Sequence, residues 1–172
     1  IYVKEDLEFI EIDMEPFCIE YNIEVVAISI PSLSITVLSI YRTPAGDVEL
    51  FFLKLEELLL YFYKSKYRIV IAGDFNIDIL KVNSDCNKFF NILRSCGYYC
   101  TNFKPTRQNA CLDNMLINFS DWHCQVEVIE LAISDHAALS LTFNTNLNDG
   151  NRSVNYICKR IFTNDGWIEG IN

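Results

Sequence analysis

The feature that most constrains the fold is a short, continuous apolar run at residues 68–73, which follows a stretch with helical spacing and ends in Gly73-Asp74. A run of this kind shows no alternation between polar and apolar positions, and it is typical of a strand that is buried on both faces. We therefore expect residues 68–73 to lie in the middle of a sheet.

The remaining strands are predicted from other apolar and β-branched runs. They lie at residues 7–12, 23–30, 35–41, 98–102, 112–118, 125–131 and 137–143. Pro31 and Ser32 are expected to join the second and third runs as a hairpin. The mixture of strands and helices favours an α/β fold class, built as an (α+β) sandwich of two mostly antiparallel or mixed sheets flanked by helices, over a regular βαβ repeat.

Two helices are predicted between these strands. The first follows Asp47, which can cap it. Its buried face consists of residues at helical spacing: Phe51, Leu55, Leu58, Leu59 and Phe62. The second spans residues 85–96, is capped by Ser84 or Asp85 and stops at Gly97. Its buried stripe consists of Cys86, Phe89, Phe90 and Leu93.

Composition and charge limit the partners of the chain. Hydrophobic residues make up 51% and charged residues 22% of the 172 residues, which is the composition of one globular domain. The net charge of -9 repels a polyanion, so strong nonspecific binding of nucleic acid is not expected. The longest apolar runs are too short to cross a bilayer, so no membrane partner is expected.

The cysteines form an odd set of seven without a Cys-x-x-Cys pair. A disulfide framework is not expected, and reduced, mostly buried thiols are the default in an intracellular protein of the nucleus or cytoplasm. A zinc site is an alternative that matches no common spacing; its ligands would be Cys96, Cys100, Cys111, His123 and Cys124.

Two polar side chains directly follow the central run. Asp74 and Asn76 stand at its C-terminal edge, where ligands bind in α/β sheets. Residues two apart on an extended chain share a face, so this carboxylate and amide would converge on one point and could position a water or lie beside a metal ion. Gly-Asp and Asn are also turn formers, so a plain turn is the alternative.

Ser134-Asp135-His136 is the second candidate, between a polar turn and the predicted strand 137–143. A histidine beside an acid can serve as general acid or base, or can stabilise charge at phosphorus. Asp113 lies in an otherwise apolar strand and needs a partner, for which His136 is available. A capped loop with a surface histidine is the alternative, and His123 is predicted to be a loop residue.

Two further pairs of residues could contact phosphate. Thr106 and Arg107 lie in a predicted loop, and Tyr41 and Arg42 end a predicted strand with a phenol and a guanidinium. Each signal is weak singly. All the candidates lie at strand ends, however, and turn chemistry alone does not explain such a set.

The order and the residues of these motifs resemble those of the endonuclease/exonuclease/phosphatase superfamily, and within it the apurinic-like endonuclease domain of non-LTR retrotransposons. The resemblance covers about residues 1–145. It is carried by Ser-Ile-Tyr-Arg-Thr-Pro-Ala-Gly-Asp (39–47), Ile-Ala-Gly-Asp-Phe-Asn-Ile-Asp (71–78), Pro-Thr-Arg (105–107), Cys-Leu-Asp-Asn-Met-Leu-Ile-Asn (111–118) and Ile-Ser-Asp-His-Ala-Ala-Leu (133–139). Residues 146–172 would then be a linker and tail toward a following reverse transcriptase-like region.

The resemblance implies Mg²⁺-assisted hydrolysis of a phosphodiester in DNA, with Mn²⁺ as a substitute ion. Asp74 would orient or deprotonate the attacking water, and Asn76 would hold that water and the phosphate. His136 would contact the scissile phosphate as its charge develops, while Asp113 fixes the tautomer of His136. Asp135 would help to bind the metal ion.

Other residues are implied as contacts to the substrate. Tyr41 is implied as a catalytic contact to phosphate, and Thr106, Arg107 and Ser134 as further phosphate contacts. Because the net charge is -9, the divalent ion would matter more than usual for accepting DNA.

The chain departs from the family pattern at its start. In the family, an Asn and a metal-binding Glu lie on two strands before the segment that matches Ile1, and neither motif occurs here. The expectation is therefore a domain truncated at its N-terminus, with the first strands of the sandwich missing and catalysis impaired. The alternatives are an inactive remnant or interaction module, and another phosphoesterase of the same superfamily.

Overall fold

A computed structural model describes residues 1–120, 124–131 and 134–144, together with the backbone of Ser153–Tyr156. The strands are β1 (Ile10–Ile12), β2 (Ile23–Ile30), β3 (Ile35–Arg42), β4 (Arg68–Asp74), β5 (Tyr99–Cys100), β6 (Asp113–Ile117), β7 (Gln125–Ile129), β8 (Ala138–Asn144) and β9 (Ser153–Tyr156). The helices are α1 (Val48–Tyr61) and α2 (Ser84–Ser95). The predicted elements are confirmed, and four of the eight predicted strands are shorter in the structure than in the prediction.

Two sheets form the framework of the fold. The larger sheet has the strand order β1-β2-β3-β4-β6-β5, and the smaller has the order β7-β8-β9. The β3–β4 pair is parallel, and the other pairs in both sheets are antiparallel. The predicted sandwich of mixed and antiparallel sheets with flanking helices is confirmed.

Two apolar cores lie on opposite faces of the larger sheet. On the helix side, Phe51 and Leu55 of α1 pack with Leu38 and Ile71 of the sheet. On the other side, Val70 packs with residues of the smaller sheet and its neighbours, among them Met115, Leu139, Leu141 and Phe143. Successive residues of β4 therefore enter different cores, which confirms the prediction of a central strand buried on both faces.

The helix ends agree with the predicted capping chemistry at one helix and differ at the other. Asp47 Oδ1 accepts hydrogen bonds from the backbone N–H groups of Glu49 and Leu50, as an N-cap does. The prediction that Ser84 or Asp85 caps α2 is wrong. Asn83 is the cap, because its Oδ1 accepts from the backbone N–H of Cys86 at 2.8 Å.

The segment predicted as a linker and tail contains one described element. Ser153–Tyr156 forms β9, which pairs with β8 in the smaller sheet. Residues 145–152 and 157–172 lie outside the described residues, so the predicted boundary near residue 145 stays a prediction. Within the described ranges, no helix combines the length and the apolar character that a bilayer crossing requires.

We expect Gly73→Ala to be much more destabilising than Gly97→Ala, although the chemical change is the same. A Cβ at Gly73 would lie 1.9 Å from the backbone oxygen of Ile40 in the paired strand, so β3 and β4 would have to separate. A Cβ at Gly97 would meet nothing within 4 Å, and its cost comes only from the positive φ of 76°.

Urea denaturation should show a loss of unfolding free energy of about 3 kcal/mol for Gly73→Ala and about 1 kcal/mol for Gly97→Ala. Equal losses for the two variants would mean that β3 and β4 do not approach as closely as described.

Candidate active site

The site is built on three adjacent strand ends of the larger sheet. Asp74 ends β4 and pairs in register with Asp113, which begins the antiparallel strand β6. Tyr41, near the end of β3, pairs with Asp74 from the other side. Paired residues point to the same face of a sheet, so these three side chains form a row on the face that carries Val70 and Met115.

His136 joins this row from the loop before β8. Its Nδ1 lies 2.8 Å from Asp113 Oδ2, and the backbone N–H of His136 donates to Ser134 Oγ at 3.1 Å. Asp74, Asp113 and His136 each offer one side-chain atom that could ligate a metal ion, and these three atoms lie within 4.8 Å of one another. Asp74 is buried and the other two are half-buried. We call these three residues the Asp-Asp-His cluster.

Thr106 fixes the two chain segments that meet at the cluster. Its Oγ1 accepts hydrogen bonds from the backbone N–H groups of Leu112 and Asp113, both at 3.1 Å. Its carbonyl oxygen accepts from the backbone N–H of Ala137 at 2.7 Å. This one buried residue therefore sets the start of β6 against the loop that carries His136.

The backbone at Asn76 is not extended, unlike the expectation from the sequence. Asn76 has a left-handed φ of 49°, and its N–H donates to Asp74 Oδ1 at 3.0 Å. Its side-chain amide donates to the carbonyl oxygen of Arg42 at 2.6 Å. The turn that was the alternative interpretation is thus present, and it is part of the site because it orients Asp74.

Arg42, a candidate phosphate contact from the sequence, is buried and instead supports the backbone of the site. Its guanidinium donates to the carbonyl oxygens of Asn76 and Gly46, both at 3.2 Å, and its Cζ lies 5.7 Å from the centre of the Phe51 ring. Burial lowers the pKa of Arg42, while the charge of Asp74 acts in the opposite direction. The available signal was strand alternation, which places Arg42 on the opposite face from Tyr41.

Three of the predicted substrate or metal residues lie outside the cluster. Arg107 pairs with Asp135 at 2.7 Å, and both side chains are largely exposed. The pKa of Asp135 lies below its ordinary value because Arg107 donates a hydrogen bond to it. Ser134 caps the backbone of His136, as described above. The structure thus brings Asp74, Asp113, His136 and Tyr41 together, and leaves Arg107 and Asp135 on an outer rim.

The cysteines do not contribute to the described cluster of metal-binding groups. Cys18, Cys86, Cys96, Cys100, Cys111 and Cys124 are free thiols. Burial raises the pKa of Cys100 and of Cys111 to about 12, so both thiols are protonated at neutral pH. His123, the histidine of the alternative zinc site, lies outside the described residues.

The two-sheet sandwich is similar in fold to solved endonuclease and phosphatase structures. A similar solved structure is the endonuclease domain of TRAS1, a telomere-specific non-LTR retrotransposon, with a TM-score of 0.65 and 18% identity. That alignment covers 85% of this chain and 72% of the TRAS1 domain. No family model matches the chain, and no curated protein matches its sequence.

Two bacterial structures share the fold. One is the 3′ phosphatase NExo from Neisseria, bound to a product DNA hairpin, with a TM-score of 0.57 and 18% identity over 83% of this chain and 72% of that one. The other is an endonuclease/exonuclease/phosphatase family protein from Leptotrichia buccalis, with a TM-score of 0.51 and 18% identity over 70% of this chain and 52% of that one. Similarity at this identity establishes the fold alone.

We expect Thr106→Val to destabilise the protein, because the isosteric side chain leaves the half-buried N–H groups of Leu112 and Asp113 without their acceptor. The expected loss of unfolding free energy is about 2 kcal/mol in urea denaturation. Thr106→Ser keeps the hydroxyl and is the matched control, with a smaller expected loss of about 1 kcal/mol. A Thr106→Val variant as stable as Thr106→Ser would contradict the role of this hydroxyl.

Proposed function

We propose that this chain is the DNA-nicking endonuclease domain of a retrotransposon-type protein and hydrolyses phosphodiesters with Mg²⁺. The observation that carries the proposal is the Asp-Asp-His cluster, whose donor atoms converge within 4.8 Å at the ends of β4 and β6. The fold shared with the TRAS1 endonuclease domain supports the same assignment. The motifs in the sequence support it independently, because they name the residues that meet there.

The chemistry of the donor set fits a divalent cation. Carboxylate oxygens are the ligands that Mg²⁺ prefers, and Mn²⁺ accepts the same oxygens and also an imidazole nitrogen. Asp74 and Asp113 would hold the ion, and Asp135 would join them once its exposed ion pair with Arg107 opens. An exposed pair of this kind is worth little, so opening it costs little. When bound, the ion would neutralise charge on the phosphate.

The protein side chains would divide the remaining work. Asp74 would orient or deprotonate the attacking water, with Asn76 beside it at the turn. His136, whose Nδ1 faces Asp113, would present Nε2 to the phosphate as negative charge develops there. Asp113 would hold the imidazole in that orientation.

Residues around the Asp-Asp-His cluster would contact the phosphates of the substrate. Tyr41, in the row beside Asp74, would contact phosphate. Arg107 and Ser134 would contact the DNA strand at the rim of the site. Thr106 would donate its hydroxyl proton to the phosphate, since the oxygen of that hydroxyl accepts hydrogen bonds from the backbone N–H groups of Leu112 and Asp113. The proposed partner is DNA, and the net charge of -9 makes these few local positive and polar groups decisive.

The proposal includes a low rate of hydrolysis. The Asn and metal-binding Glu motifs that the resembled family carries on its first two strands do not occur among these 172 residues. A metal ion held by fewer carboxylates binds less tightly and polarises the phosphate less reliably.

The test is nicking of supercoiled plasmid in the presence of Mg²⁺. We expect slow nicking that chelation by EDTA abolishes, and at least a 100-fold lower rate for the double variant Asp74→Ala, His136→Ala. Asp6→Ala, which removes an exposed carboxylate far from the cluster in the sequence, is the matched control and should nick at the original rate.

Equal nicking by the chain and the double variant would overturn the catalytic assignment. A folded chain that shows no nicking at all would contradict the enzymatic proposal and favour the interaction module.

A further inference from the structure

The loop that leads from β5 toward the site carries an exposed aromatic side chain with no role in the proposed chemistry. β5 pairs antiparallel with β6, with Cys100 opposite Leu116, so the chain after Cys100 runs toward the end of the sheet at which Asp113 lies. Phe103 follows at once, and its side chain is 59% exposed. Three residues later the chain reaches Thr106, so the Cα atoms of Phe103 and Thr106 lie within about 11 Å of each other.

Buried amides hold the backbone on both sides of Phe103. Asn114 Oδ1 accepts from the N–H of Asn102 at 3.2 Å, and its Nδ2 donates to the Asn102 carbonyl at 2.7 Å. Asn102 in turn accepts from the N–H of Lys104 at 3.0 Å and donates to its carbonyl at 2.9 Å. Asn102 and Asn114 are 3% and 2% exposed. Phe103 is therefore held outward by a rigid loop, since both flanking residues are fixed.

The surroundings of Phe103 are aromatic and cationic. Its ring lies nearly parallel to that of Phe90 in α2, at 14° and 6.4 Å between centroids. The guanidinium of Arg94 lies 5.9 Å from the centre of the Phe90 ring. Lys104 follows Phe103 directly and is exposed. We call Phe90, Arg94, Phe103 and Lys104 the Phe103 platform.

An exposed aromatic ring on a fixed loop is a surface on which an unpaired nucleic-acid base can stack. The cations Arg94 and Lys104 complement a phosphate backbone, although the chain as a whole carries a net charge of -9. A strand rises about 3.4 Å per nucleotide, so the span from Phe103 to Thr106, whose hydroxyl contacts the start of β6, corresponds to roughly three nucleotides.

We propose that the Phe103 platform binds an unpaired base of the substrate next to the scissile phosphate, so that the chain prefers DNA with a single-stranded segment over continuous duplex. This inference rests on the proposed function for its position relative to the cleaved bond. The stacking itself depends only on the platform, so binding can be measured separately from hydrolysis.

The experiment is fluorescence anisotropy with a labelled DNA strand of about 12 nucleotides, and with the duplex of the same sequence. Ca²⁺ replaces Mg²⁺, so that a divalent ion is available for DNA binding while binding is measured without cleavage. We expect Phe103→Leu to raise Kd for the single strand about ten-fold, because one stacked base is lost, and to change Kd for the duplex by less than about two-fold. Phe103→Trp should restore the single-strand Kd.

Tyr99→Leu is the matched control, because Tyr99 has the same exposure of 59% and lies on the neighbouring strand β5. It should leave both Kd values unchanged. The platform proposal is overturned if Phe103→Leu binds the single strand as the original chain does, if it weakens strand and duplex equally, or if the original chain binds neither DNA. If the chain binds DNA as expected but does not nick plasmid, the platform proposal stands and the proposed hydrolysis is contradicted.

Discussion

The register between β4 and β6 is the constraint on which the rest of the site depends. It sets Asp74, the last residue of one strand, opposite Asp113, the first residue of the next. Two like charges placed directly opposite each other destabilise a sheet, so this pairing is unfavourable unless something else interacts with the carboxylates. The imidazole of His136 supplies one partner at 2.8 Å from Asp113, and a bound cation would supply a second. Electrostatic repulsion of this kind, at the strand ends of an otherwise well-packed sandwich, is typical of a functional site.

The supporting residues Thr106 and Arg42 hold the backbone around the site. Thr106 joins the start of β6 to the loop of His136, and Arg42 holds the carbonyl of the left-handed residue Asn76. Both are buried, so their hydrogen bonds are protected from competition with water. The carboxylates are therefore positioned by a rigid frame, which matters because a metal site requires its ligands within a few tenths of an ångström. The same principle extends outward to Phe103, where a pair of buried asparagines fixes an exposed ring.

Sequence patterns predicted the elements well, because each depends on local features. The apolar and β-branched run at residues 23–30, the helical spacing of Phe51 and Leu55, and the capping role of Asp47 were all readable from neighbouring residues. The predicted contact between Asp113 and His136 is present, but the other contacts between distant segments could not be read. The Asp74–Asp113 register, the clamp of Arg42 on Asn76 and the Arg107–Asp135 ion pair join residues 39, 34 and 28 positions apart. Asn83 was missed as a cap because three consecutive polar residues can each serve, and only the chain direction at the helix start decides among them.

Asp74 and Asp113 together are proposed to bind a divalent ion. Titration with Mn²⁺, followed by electron paramagnetic resonance of the free ion, measures this binding. We expect Asp74→Asn and Asp113→Asn each to raise the Kd for Mn²⁺ by more than about ten-fold, since each keeps the side-chain shape and removes one anionic ligand. Asp6→Asn, an exposed carboxylate outside the cluster, should leave the Kd unchanged. Mn²⁺ binding of undiminished affinity in both cluster variants would contradict the account.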